Sequence, residues 1–258
     1  MWDLEYFVRL LNSATQEALT RGYSLLLSPP INEAEAWRQL RVDGAILVDP
    51  VTNDPLLAEF QRRGTPVVTR GRDARGSDGF CVDNDFEGAT DRVLQHLHQR
   101  GAERVALLIG DRKTSYAMDT CRAYERWAER HEYEPIIRSV GGNVTESSGY
   151  HAAIDLLESS QTPDAIYALF DRIALGVLLA ARERKLQVPQ DLVLVAMTES
   201  AACRNSSPPI TTLSARPEQL GKHAARMLVD LVEGRELERR KVIVGTRIMQ
   251  RASTLPRA

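Results

Sequence analysis

Residues 163–197 read PDAIYALFDRIALGVLLAARERKLQVPQDLVLVAM, and this stretch decides the fold class. It opens on the apolar run Ala165–Leu169, continues into a helix starting at Arg172, and closes on a second run, Leu192–Ala196. Short runs without polar alternation suit strands buried on both faces of a parallel sheet. Strand, helix and strand in that order make one crossover unit of an α/β fold.

The same alternation extends outward in both directions. Tyr23–Leu27, Ala45–Val48, Pro66–Val68 and Val105–Ile109 are further apolar runs upstream, and Ile136–Val140 adds another strand. Phe86, Ala89, Val93, Leu94 and Leu97 fall on one helical face. Leu220, Ala224, Met227, Leu228, Leu231 and Val232 fall on another, with Pro217 and Glu218 at its start and Gly234 just past its end. Strand starts at 23, 45 and 66 form one set, and those at 105, 165 and 192 a second. The polar, glycine-rich segment Arg70–Gly79, RGRDARGSDG, lies between them. Val242–Met249 predicts one late strand. The expectation is α/β with two doubly wound parallel-sheet lobes.

Composition narrows the function. The chain has 258 residues, 43% hydrophobic and 26% charged, which is an ordinary globular balance able to build a sizeable core. Its 33 basic and 35 acidic residues leave a formal charge of −2, which argues against a surface devoted to phosphate neutralisation. Cys81, Cys121 and Cys203 are widely spaced and odd in number, giving neither a disulfide framework nor a zinc motif. A reducing cytoplasm is the expected compartment, and no apolar run is long enough to suggest a membrane span.

Catalytic and metal motifs find no support. His96 and His98 are two apart on a helix and point to different faces, and His131-Glu132 lacks a second histidine. Asp83-Asn84-Asp85 suits a helix N-terminus better than a metal loop. No nucleophile elbow, Walker loop or dinucleotide fingerprint follows a strand. An α/β enzyme with its site between lobes would need a nucleophile and base converging there, and no such pair stands out. No cofactor or metal is expected.

Phrases in a fixed order along the chain resemble the lactose/galactose repressor (LacI/GalR) family. They are GYSLLL (22–27), DGAILV (43–48), GTPVVTRGR (64–72), CVDNDFEGATDRVLQHLHQRGAERVALLIG (81–110), TESSGYHAA (145–153), the opening stretch at 163–197, PPITTL (208–213) and EQLGKHAARMLVDLVEG (218–234). The resemblance implies the effector-binding core of a transcriptional regulator, periplasmic-binding-protein-like, with a small sugar or sugar-like ligand between two lobes. Lobe one would hold residues 1–82 and 214–240, and lobe two 83–213 and 241–258. It also implies a homodimer, with operator DNA bound by a helix-turn-helix domain absent from this chain. That head and a first strand would precede Met1, so a longer parent protein is expected. The alternative on the same fold is a periplasmic-type binding protein serving a transporter.

Carried over by position, the resemblance places Tyr6, Phe7, Ser28 and Arg72 at the effector from lobe one. From lobe two it places Thr120, Arg122, Asn143, Phe170, Asp171, Thr198 and Glu199. Several depart from the family pattern. Thr120 stands where the family's gripping arginine falls, and Arg122, two residues on, does not share its helical face. Phe170 replaces an asparagine, Thr198 an aspartate, Val144 a stacking aromatic and Ala215 a glutamine. Hexose recognition relies on planar aromatics and bidentate polar groups, so these losses count against a simple hexose and leave open a different small ligand, a phosphorylated or apolar one, or no effector at all. Asp171 also suits capping of the helix expected to begin at Arg172.

Overall fold

The apolar runs pair into two sheets rather than one. A computed structural model describes residues 4–28, 41–73 and 79–256. The elements are α1 (Leu4–Leu19), β1 (Ala45–Val48), α2 (Pro55–Arg62), β2 (Val67–Arg70), β3 (Phe80–Asp83), α3 (Phe86–His98), β4 (Val105–Ile109), α4 (Ser115–Arg130) and β5 (Ile136–Ser139). They continue as α5 (Glu146–Leu157), β6 (Ala165–Ala168), α6 (Asp171–Glu183), β7 (Val193–Ala196), α7 (Ala201–Asn205), β8 (Thr211–Ser214), α8 (Pro217–Val232), β9 (Lys241–Ile243) and β10 (Arg247–Met249). The first sheet has order β1-β2-β3-β9 and the second β10-β8-β7-β6-β4-β5. Every pairing is parallel except β10 against β8.

The second sheet is the better buried. Every residue of β4, β6 and β7 is buried, as the unbroken apolar runs require. Helices α3 and α4 pack as one pair and α5 and α6 as another. Glycine makes the second contact possible: a Cβ on Gly176 would sit 2.2 Å from the Glu146 carbonyl oxygen. Asp85 caps α3, its carboxylate accepting from the Gly88 amide at 2.9 Å, so the Asp-Asn-Asp segment is a helix start as expected. In the first lobe α1 and α8 lie together, and Tyr6, Leu10, Leu220 and Ala224 cluster with Val68 and Val82.

Three strand readings need correction. Tyr23–Leu27 forms no strand, and Leu26 and Leu27 are 67% and 70% exposed. A strand needs a hydrogen-bonded neighbour, and the described residues offer none beside this segment. Val242–Met249 is two strands: Lys241–Ile243 joins the first sheet and Arg247–Met249 the second. The last passage between lobes therefore lies between Ile243 and Arg247, not before residue 241. The strand after Pro66 runs on through Thr69 and Arg70, which shortens the expected loop, and Phe80–Asp83 is a strand that the sequence reading passed over.

The chain passes between the sheets three times, after β3, after β8 and after β9. Buried Asn84 ties the three passages together. Its side-chain amide donates to the Ala215 carbonyl at 3.2 Å and to the Val244 carbonyl at 2.7 Å. The Val244 amide in turn donates to the Asp83 carbonyl at 2.8 Å. No helix among the described residues is long and apolar enough to cross a membrane.

Candidate functional site

Ligands of open α/β sheets bind beyond the carboxyl ends of the strands. Here those ends carry Asp49 after β1, Arg70 at the end of β2, Asp83 at the end of β3, Phe170 after β6, and Thr198 and Glu199 after β7. Arg70 is fully buried and ion-paired with Asp49, its guanidinium 5.2 Å from the centre of the Tyr6 ring. Asp49 is left-handed at φ 51°, and Gly71 makes room for it: a Cβ there would meet Asp49 Oδ1 at 2.8 Å. Burial pushes the Asp83 carboxyl above its ordinary range, against the pull of Arg70 and Arg72.

Charged bridges join the lobes. Arg72, from the loop after β2, donates through both terminal nitrogens to the two Asp119 oxygens on α4, at 2.5 Å each. Asp119 also pairs with Arg122, which reaches Glu87 at 3.0 Å. Elsewhere Glu5 on α1 accepts from Arg204 at 2.8 and 3.1 Å and from the Ala201 amide at 2.8 Å. Burial raises the Glu5 carboxyl, but Arg204 and that amide outweigh it and hold the group below its ordinary range. A backbone bridge between Val51 and Thr114 adds a further link. Among the described residues a crevice of about 10 Å³ is bordered by Tyr6, Arg9, Met197, Thr198, Glu199 and Ala215, with room for about one water. A larger hollow of about 320 Å³ lies in the first lobe beside Leu57, Pro66, Val67, Phe80 and Cys81, and of its lining only Arg72 takes part in the bridges described above.

A signature of the periplasmic binding protein-like domain matches residues 94–254, more than half of the chain. The chain belongs to that family. The HTH-type transcriptional repressor PurR of Escherichia coli O1:K1 is 27% identical over 97% of this chain and 76% of its own length. A regulatory protein of the LacI family from Chloroflexus aggregans is 27% identical, covers 96% of this chain and 92% of its own, and superposes with a TM-score of 0.89. The transcriptional regulator CelR in its cellobiose complex, 24% identical, shares the fold at a TM-score of 0.87 over 96% of this chain and 79% of its own. The chain is thus a LacI-type effector-binding domain, a regulator's sensing module rather than an enzyme.

Within this LacI-type domain the expected effector residues divide into three groups. Tyr6, Thr198 and Glu199 border the crevice. Buried Thr198 donates to the Leu169 carbonyl at 3.2 Å, and Glu199 is taken up by Arg204, Arg251 and Thr212. Burial raises the Glu199 carboxyl, but those donors together hold it below its ordinary range. Arg72 and Arg122 converge on Asp119. The rest stand apart from these two clusters. Phe7 packs on the first-lobe core, Thr120 is fully buried in α4, and Ser28 is half-buried in a segment without regular structure. Asn143 is exposed, and buried Phe170 meets Tyr116 edge-on at 6.5 Å. Helix α6 begins at Asp171, one residue earlier than expected, so Phe170 is its N-cap; the Asp171 carboxylate still accepts from the Arg172 amide at 2.8 Å. Sequence reasoning missed Arg70, Asp49 and Asp119. Arg70 had one signal, a charge two residues after Val68 on the buried face of β2. Among the described residues no three His, Cys, Asp or Glu side chains are placed to hold a metal.

Proposed function

We propose that this domain senses a small ligand between its lobes and passes the change to an N-terminal DNA-binding head through a homodimer. The observation that carries the reading is the pair of sheets with their strand ends facing across a gap closed by Arg72–Asp119 and Glu5–Arg204. Ion pairs that bridge two lobes can be broken and remade, which is what a two-position sensor needs. Closure of a ligand would change the relation of paired subunits and so the spacing of attached heads. Lobe one comprises about residues 1–82 with 214–243, and lobe two the remainder, in a cytoplasmic protein. Of the expected contacts, we take Tyr6, Arg72, Arg122, Thr198 and Glu199 as the ones to meet a ligand, because they border the crevice or take part in the Asp119 cluster.

Thermal-shift screening against sugars, sugar phosphates and nucleosides tests the sensing role. A ligand that binds only the folded state raises its stability, at roughly 2–4 °C per kcal/mol for a chain of this size. One chemical class is expected to stand out, and a flat response to every class would remove the reading. Sedimentation is expected to give twice the monomer mass, and a monomer at high concentration would remove the dimer.

A further inference from the structure

We propose that Asp119 is an internal stand-in for the effector's acidic group, and that the effector is a small anion whose carboxylate or phosphate takes Arg72 from it. The inference rests on the cleft reading above and names the ligand class for it. Arg72 comes from lobe one and Asp119 from lobe two, and two parallel N–H···O bonds join them. That fork-to-carboxylate geometry is the one arginine uses for carboxylates and phosphates generally. The Asp119 side chain is 5% exposed, whereas that of Arg72 is 31% exposed and reachable from solvent.

Parting the lobes here must break the bidentate pair. A neutral hydroxyl arriving at Arg72 would exchange charge-assisted bonds for weaker ones. A carboxylate or phosphate restores the same fork and the same charge balance. Asp119 is not stranded by the exchange, because Arg122 already contacts it and is anchored on Glu87 at 3.0 Å. Arg126 holds the other Glu87 oxygen at 3.0 Å, so the lobe-two group of Asp119, Arg122, Glu87 and Arg126 is balanced without Arg72.

The test measures thermal shift and calorimetric affinity for glucose, gluconate and glucose 6-phosphate on the wild type, Asp119→Asn, Arg72→Lys and Arg72→Gln. Gluconate or glucose 6-phosphate is expected to raise the wild-type melting temperature while glucose does not, and which of the two acts separates carboxylate from phosphate. Asp119→Asn keeps the shape but removes the competing charge, so the active anion should bind it roughly tenfold more tightly. Arg72→Lys should weaken that binding and Arg72→Gln abolish it, with circular dichroism checking that each variant folds. Glucose acting where neither anion does would overturn this proposal and leave the sensing role intact. So would an Asp119→Asn variant that binds the active anion no better than wild type, or that binds neither anion.

Discussion

Replacing Asp49 with alanine would leave the Arg70 guanidinium inside the protein without its ion-pair partner. Breaking a buried pair from one side costs about 3–5 kcal/mol, because the remaining charge loses the carboxylate that balances it inside the protein. Asp49→Ala should lower the unfolding free energy by that amount in urea titration, and a loss under about 1 kcal/mol would show that the pair is not buried in solution. Glu199 makes a second prediction at this scale. Its carboxyl is held below the ordinary 4.5, so its stabilisation is complete above that pH and fades as pH falls through the depressed value. Wild type should therefore lose more stability than Glu199→Gln between about pH 5 and about pH 3. Equal losses would show that Glu199 is not tied to its donors. Little of this was visible in the sequence. Arg70 and Asp49 are 21 residues apart and Arg72 and Asp119 are 47 apart, and no local pattern pairs charges over such separations. The positions carried over from the family resemblance name where a ligand is expected, but not which internal partners stand there.

Helices α5 and α6 meet where Gly149 and Gly176 leave no side chain between the backbones. A methyl group at Gly176 collides with backbone atoms that have nowhere to move, so Gly176→Ala should cost about 1–3 kcal/mol despite alanine's better helix propensity. A denaturant midpoint equal to or above that of the wild type would mean the two helices are not in close contact. Most elements were legible, and for a physical reason: Val105–Ile109, Ala165–Leu169 and Leu192–Ala196 are apolar throughout because both faces of the second sheet are covered. Tyr23–Leu27 has the same composition and is not a strand. Apolar content shows that a segment suits a sheet, whereas pairing depends on what lies alongside. Val242–Met249 fails in another way, since a segment read as one strand changes sheets at Val244–Thr246, where Gly245 and Thr246 interrupt the apolar run.

For the whole molecule, two charged bridges among the described residues span the lobes, and each should respond to charge. Arg204→Ala removes the guanidinium that pairs with Glu5 across the lobes and should raise the radius of gyration measured by small-angle scattering at neutral pH. Acidification below the ordinary 4.5 of Glu5 should do the same to the wild type, because a depressed carboxyl contributes only while it is ionised. An unchanged radius in both cases would mean that the lobes are held by other contacts. The two-lobed plan was legible from the uneven spacing of apolar runs, while the ion pairs between the lobes were not, because they join side chains from opposite lobes. Asn84 sets the terms of any movement. One buried amide fastens all three crossing segments, an arrangement that resists sliding more than swinging. The fastening acts as a pivot, and displacement grows with distance from it along a rigid lever arm. A small rotation at Asn84 would then become a large excursion at the far rim of each lobe.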